Sequence, residues 1–436
     1  MKVHQFILAA LLLSIFRLTA IAQTDGIPSP LQDAVRSNDT NAVLAALRAH
    51  PDAINATNED GWTALHTAAF SGKTKPAKVL LEHGASPDLT DPDGERPLSL
   101  AAANGYAEIV RMLLAAGAKP STPNESGETP LFQASENGKT DCVKLLLAAH
   151  ADVQHPRRSD DMTALDVASQ SGCDSIVLLL IEHGAQVRRA IHADDNPQDG
   201  YTPLHFAAEG GHLDVVQTLV AHGANVLARA ANGNQPIHLS STWHGTDTVI
   251  AFLVAHGASV NAVNNYHQTP LHLATWEARP LTISKLLKLG ANSNIGDSAG
   301  DTPLHLAAHA GRTGLVAELI TADGNPGEHH ANVNLQNREG QTALMLAVQG
   351  NYDPTVDTLL RNGAKPNLKD REGRTALFYL QPENFQYIAH LLLVHGADIN
   401  VKDKDGLNLA QFYLKKNTPQ CGQYIADQSR TDQSRR

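Results

Sequence analysis

Apolar residues return along most of the chain in pairs of short clusters. In 202–226 (TPLHFAAEGGHLDVVQTLVAHGANV), Leu204, Ala207 and Ala208 fall on one face of a first helix, and Val215, Val216, Leu219 and Val220 form a matching stripe on a second. Thr202 supplies an N-cap oxygen, Pro203 occupies the first helical position, where a missing amide costs nothing, and Gly223 provides the left-handed residue that ends the second helix. The pattern predicts an α-turn-α unit of two short amphipathic helices. Neither helix can hide its stripe alone, so neighbouring units must stack.

The unit recurs. Its central apolar residue falls at Leu65, Leu98, Leu131, Leu165, Leu204, Ile237, Leu271, Leu304, Leu344 and Leu377, about 33 residues apart except where short insertions intervene near 189–198 and 322–330. The start Gly-x-Thr-Pro-Leu-His, the Ala-Ala pair and the terminal Gly-Ala resemble the ankyrin repeat, best in 202–226 and closely in TPLHLAAHAG (302–311) and QTPLHLA (268–274). The resemblance implies an all-α fold, an ankyrin-repeat solenoid of stacked helix-turn-helix units with β-turn or hairpin connections, in one elongated stack. Ten repeats are expected over 58–402, with an N-terminal linker and capping repeat at 23–57, a C-terminal capping repeat at 403–426, and a polar, disordered tail at 427–436. His150 stands where the helix-ending glycine belongs, which predicts a strained left-handed side chain.

Residues 1–22 have a basic start, the apolar run FILAALLLSIF and the small-residue end Ala20-Ile21-Ala22, the pattern of a secretory signal peptide cleaved after Ala22. Export to a periplasmic or extracellular destination is the expectation, with no membrane insertion after cleavage. Arg17 breaks the apolar run well short of the roughly 20 residues that a spanning helix needs.

Composition narrows the function. The net charge of −11 disfavours nucleic acid and anionic membrane as partners. The 3 cysteines, Cys142, Cys173 and Cys421, are odd in number and widely spaced, so they form no disulfide framework. Among the 22 histidines, His66, His205, His238, His272 and His305 share one repeat position, and His83, His183, His222, His256 and His395 share another. Equivalent positions in stacked helices lie about 10 Å apart, too far to share a metal at about 2 Å, so structural hydrogen bonding is expected. His329-His330 lacks a third ligand. Gly296-Asp297-Ser298-Ala299-Gly300 fits the Gly-x-Ser-x-Gly elbow but falls in an inter-repeat turn, outside the strand-to-helix context that the chemistry needs. No catalytic centre, metal or cofactor is expected. Asn38, Asn55 and Asn124 begin glycosylation sequons.

In proteins similar to this one, partners bind to the turn tips and the exposed ends of the first helices, which line a concave face. Counting from each central apolar residue carries those positions to Trp62, Phe70, Tyr201, Trp243, Tyr266, Trp276 and His309. Tyr201, Trp243, Tyr266 and Trp276, with His309 beside them, form the preferred hot spot, because aromatics outside a core of Leu, Ala and Val favour recognition. The alternative is that Trp243 and Trp276 cover a groove floor opened by irregular repeats, where His267 replaces the turn glycine. Glu59, Asp60, Glu95, Glu128 and Glu136, with Asp93 and Glu125, make the N-terminal half acidic with little basic charge nearby, whereas Arg338, Arg371 and Arg374 come late. That distribution would steer a basic partner. The expected function is therefore an exported, monomeric, non-catalytic protein-binding scaffold, the alternative a secreted effector acting on host proteins.

Overall fold

The computed structural model describes residues 30–192, 196–242, 247–321, 330–383 and 385–433. The leader expected at 1–22, Trp243, residues 193–195 of the first insertion and 322–329 of the second lie outside them. The chain divides into two compact units, an N-terminal one of Met1–Ala164 with Glu182–Ala185 and a C-terminal one of Leu165–Ile181 with Gln186–Arg436. Among the described residues the regular elements are helices, and three isolated β-bridges (Thr57 with Thr63, Gln336 with Thr342, Lys402 with Asn408) close hairpins between repeats.

Each repeat follows its sequence closely. In the C-terminal unit, Thr202 precedes the helix Pro203–Gly210, Gly211 turns the chain at φ 73°, and the second helix runs Leu213–Ala221. Leu204, Ala207, Ala208, Val215, Val216 and Leu219 are fully buried, while Val220, expected in the same stripe, is half-buried. Gly223 adopts φ 90°.

Three kinds of bond tie one repeat to the next. The histidine of the Thr-Pro-Leu-His start is buried and uses both ring nitrogens. His205 Nδ1 accepts the Thr202 amide at 3.1 Å, so Nε2 must carry the proton, which it donates to the Asn234 carbonyl of the next hairpin at 3.2 Å. His66, His238, His272 and His305 bridge in the same way to Glu95, Gln268, Asp301 and Gln341. This is the structural role expected of them. Successive hairpins are also pinned tip to tip, the Glu125 amide bonding the Asp93 carbonyl at 3.1 Å and the Arg371 amide the Glu339 carbonyl at 3.0 Å. Glycine at the tip permits the approach: a Cβ on Gly94 would sit 2.9 Å from the Glu125 amide nitrogen. Finally, Asn261, Asn294, Asn334 and Asn367 each accept an amide and donate to a carbonyl of the following repeat. Asn334 takes the Lys365 amide at 2.8 Å and reaches the Gly363 carbonyl at 3.0 Å.

His150 has φ 59°, where the equivalent Gly84 and Gly117 have 88° and 90° with open space around them. We expect His150→Gly to stabilise the N-terminal unit by about 1 kcal/mol, since glycine carries no Cβ penalty there. A urea midpoint at or below that of the parent chain would refute the strain.

The C-terminal end departs from the expected pattern. The first helix of the tenth repeat shrinks to one 3-10 turn, Ala376–Tyr379, because Pro382 bars helix from the residue before it. The last helix, Pro419–Gln433, continues through most of the stretch expected to be disordered. Its start is anchored by buried Cys421 and Ile425, and no proline or glycine interrupts the remainder.

Candidate protein-binding surface

The hairpin bases and first-helix ends present the candidate residues, and in each unit the hairpins are held rigidly. An Asx side chain opens most of them: Asn58 Oδ1 accepts the Trp62 amide at 2.8 Å, and Asp297 Oδ1 accepts those of Ala299 and Asp301. That places the Gly296–Gly300 stretch at a hairpin tip, with the Ser298 amide bonded to the Tyr266 carbonyl. It is no strand-to-helix elbow.

In the N-terminal unit most candidates are engaged internally. Trp62 is half-buried and packs edge-on against Phe70, with ring centroids 5.2 Å apart, and its indole Nε1 donates to Asp91 Oδ2 of the next hairpin at 3.0 Å. Glu59 and Asp60 are exposed at the first tip. Glu95, expected to be a surface acid, is only 9% exposed: Oε1 accepts from Asn124 Nδ2 at 2.6 Å and Gln133 Nε2 at 2.8 Å. Burial pushes its carboxyl above the usual carboxylate range, against the pull of these two amides.

The same two amides reach Glu128 Oε2 at 3.3 Å, and Glu128 Oε1 receives Arg157 Nη1 at 3.2 Å. Arg157 also forks onto Asp160 at 3.0 and 2.6 Å, lies 3.7 Å from Glu136, and covers the Phe132 ring at 4.8 Å. The expectation of an acidic surface with little basic charge is thus corrected. Arg157 comes from the loop after the third repeat and neutralises Glu128 and Glu136, which repeat counting alone does not show.

The C-terminal unit differs. Tyr201, expected to be exposed, is 5% exposed, because its ring stacks on His205 at 5.2 Å and meets Phe206 edge-on at 5.4 Å. Beside it Glu209, which sequence reasoning missed, is half-buried, and desolvation pushes its carboxyl up to about 7, against a hydrogen bond from Gln198. Tyr266 and Trp276, by contrast, are 59% and 63% exposed, and His309 is exposed. The main chain under Trp276 is fixed, since Arg312 from the next repeat donates to the Thr275 and Trp276 carbonyls, the latter at 2.7 Å. Leu281, also missed, is 76% exposed at the start of the following helix, Pro280–Lys288. The hairpin residues 230–235 and 264–268 carry no Asp, Glu, Lys or Arg. Late in the unit, Arg374 lies over the Phe412 ring at 5.3 Å.

Other sequence features sort by burial. Cys142 and Cys421 are buried, and desolvation pushes the Cys142 thiol up to about 11, so it is a packing group. Asn124 has its amide nitrogen inside the Glu95–Glu128 network and is closed to modification, while Asn38 and Asn55 are exposed. Among the described residues, no three His, Cys, Asp or Glu side chains converge as a metal site, and no helix is long and apolar enough to cross a membrane.

Comparison with known families agrees with this architecture. The family model described as ankyrin repeats (3 copies) matches residues 31–124, 116–191, 188–264, 281–370 and 328–403. With stacked helix pairs, bridging histidines and glycine-tipped hairpins in both units, this chain belongs to the ankyrin repeat family.

Proposed function

We propose that this protein is a non-catalytic binding scaffold that engages a protein partner through the surface around Tyr266 and Trp276, with His309 contributing. Ankyrin repeats are in general protein-interaction scaffolds. One observation carries the finer reading: these two aromatics stand 59% and 63% exposed on an anchored backbone, whereas Trp62 and Tyr201 are packed into their own repeats. A large side chain on a rigid support loses little entropy on binding, which is what makes aromatic hot spots effective. The uncharged hairpins at 230–235 and 264–268 favour a partner segment that is itself apolar and uncharged where it meets Tyr266, while Asp297 and Asp301 make the next hairpin acidic. Glu59 and Asp60 remain exposed for a basic flank.

The test is calorimetric titration of a partner captured from the extracytoplasmic fraction against the parent chain and Trp276→Ala. We expect the variant to bind at least tenfold more weakly, about 1.4 kcal/mol or more. Unchanged affinity in a variant with native circular dichroism would return Trp276 to the role of a groove cover.

The leader-like segment 1–22 supports export as part of this proposal, with the mature chain monomeric and starting at Gln23. N-terminal sequencing of the extracytoplasmic protein tests it, and an intact Met1 would exclude cleavage.

A further inference from the structure

We propose that the histidine bridges of the C-terminal unit form an acid-operated release for its hairpins, freeing the surface that carries Tyr266 while the second helices stay folded. Four consecutive repeats contribute one histidine each: His205, His238, His272 and His305. In each, Nδ1 accepts the amide of the N-cap residue at 3.1–3.2 Å, and Nε2–H donates at 3.0–3.2 Å to a carbonyl in the hairpin of the next repeat. Both nitrogens are committed and the rings are 0–1% exposed. Protonation can occur only at Nδ1, which then stops accepting the N-cap amide. At His238 the new N–H opposes the Gln235 N–H. At His205, His272 and His305 the N-cap threonine hydroxyl, 2.8–2.9 Å from Nδ1, can accept the new N–H, but the N-cap amide is left without its acceptor and a positive charge is buried. In each repeat the charged ring is driven out, dropping the hairpin that it held.

The charged surroundings are uneven. His205 faces His238, and His238 faces Arg229, neighbours that disfavour a second positive charge. His272 faces Asp297, His267 and Asp301, and His305 faces Asp301 and Asp297, whose carboxylates partly offset burial. Desolvation is the largest influence in all four and lowers each pKa, to about 4 for His205 and His238. A folded pKa below the unfolded 6.5 means that the stabilisation is complete above pH 6.5 and is lost as the pH falls toward 4.

The chain carries its own control. In the ninth repeat Met345 replaces the histidine, its sulfur accepting the Thr342 amide at 3.5 Å, and in the tenth Phe378 does so. The hairpins at 370–374 and 403–407 therefore hang on no histidine bridge.

Hydrogen exchange with mass spectrometry on the full chain, corrected for intrinsic rate, at pH 7 and pH 5 tests the proposal. Peptides covering 230–235 and 264–268 should lose about twenty-fold in protection between pH 7 and pH 5. Those covering 370–374 and the helices Leu213–Ala221 and Pro280–Lys288 should change little. In His238→Gln the loss at 264–268 should disappear, its protection being equally low at both pH values. Equal loss in hairpins and second helices, loss at 370–374 as large as at 264–268, or unchanged protection at pH 5 would each overturn the proposal. The parent chain alone decides these outcomes should the variant fail to fold.

Discussion

Replacing Arg157 by Met should destabilise the N-terminal unit by about 2–4 kcal/mol, although arginine is commonly a dispensable surface residue. Its side chain is 18% exposed and sits among Glu128 and Asp160, 19% and 17% exposed, with the more open Glu136 at the edge. Removing one partner of a buried pair leaves its counter-charges without compensation, which costs about 3–5 kcal/mol in fully buried cases. Partial solvent access at Glu136 reduces the figure here. Stripping the guanidinium from the Phe132 face removes a cation–π contact as well. Trp62 is the one tryptophan of this unit, so urea unfolding followed by fluorescence in a Trp243→Phe, Trp276→Phe background isolates its transition. The destabilisation should shrink when Glu128→Gln and Asp160→Asn accompany Arg157→Met, because the stranded charges are then gone. A single variant within about 0.5 kcal/mol of the parent would mean that these are ordinary solvated pairs.

The second large effect lies at the other end of the chain. Tyr413→Phe should cost the C-terminal unit about 2–4 kcal/mol while deleting a single oxygen. The Tyr413 hydroxyl donates to the Leu377 carbonyl at 2.6 Å and accepts the Leu380 amide at 2.9 Å, all three residues being 3% exposed or less. The 3-10 turn Ala376–Tyr379 is too short to satisfy these groups itself. Phenylalanine fills the space but leaves a buried donor and a buried acceptor unpaired, each at about 1–3 kcal/mol. The check combines urea unfolding with hydrogen exchange of 376–380, where protection of the Leu380 amide should fall before that of the Phe385–Val394 helix. A variant as stable as the parent, with that amide still protected, would show that the hydroxyl is not what holds the turn.

Much of the fold was legible because each repeat states its own geometry. Thr202, Pro203, Gly211 and Gly223 mark helix ends by local backbone chemistry, and the apolar stripes between them can bury themselves only by stacking. The structural use of His66, His205, His238, His272 and His305 followed from spacing, since residues a repeat apart cannot share a metal. The candidate surface was legible only as a set of positions. Counting to Tyr201 and Tyr266 put both in the same class, yet one is buried and the other exposed. Tyr201 stands three residues before Leu204 and packs on Phe206, whereas Tyr266 stands five residues before Leu271, and the counterpart of Phe206 in its repeat is Leu273. Arg157 escaped notice because it lies in a loop whose length departs from the repeat, so no positional rule says where its five-donor head ends up.

The sequence by itself determined the repeat unit, its helix boundaries, the glycine-tipped hairpins and the family, because these rest on interactions within about 33 residues of one another. Only the tertiary structure decided which polar groups pair across repeats: Glu95 with Asn124 and Gln133, Glu128 with Arg157, Tyr413 with the turn at Leu377. Those pairings depend on side-chain reach between neighbouring layers, and on how much water each layer excludes. The same exclusion determines which of the candidate aromatics are spent on the fold and which, as at Tyr266 and Trp276, are left for a partner.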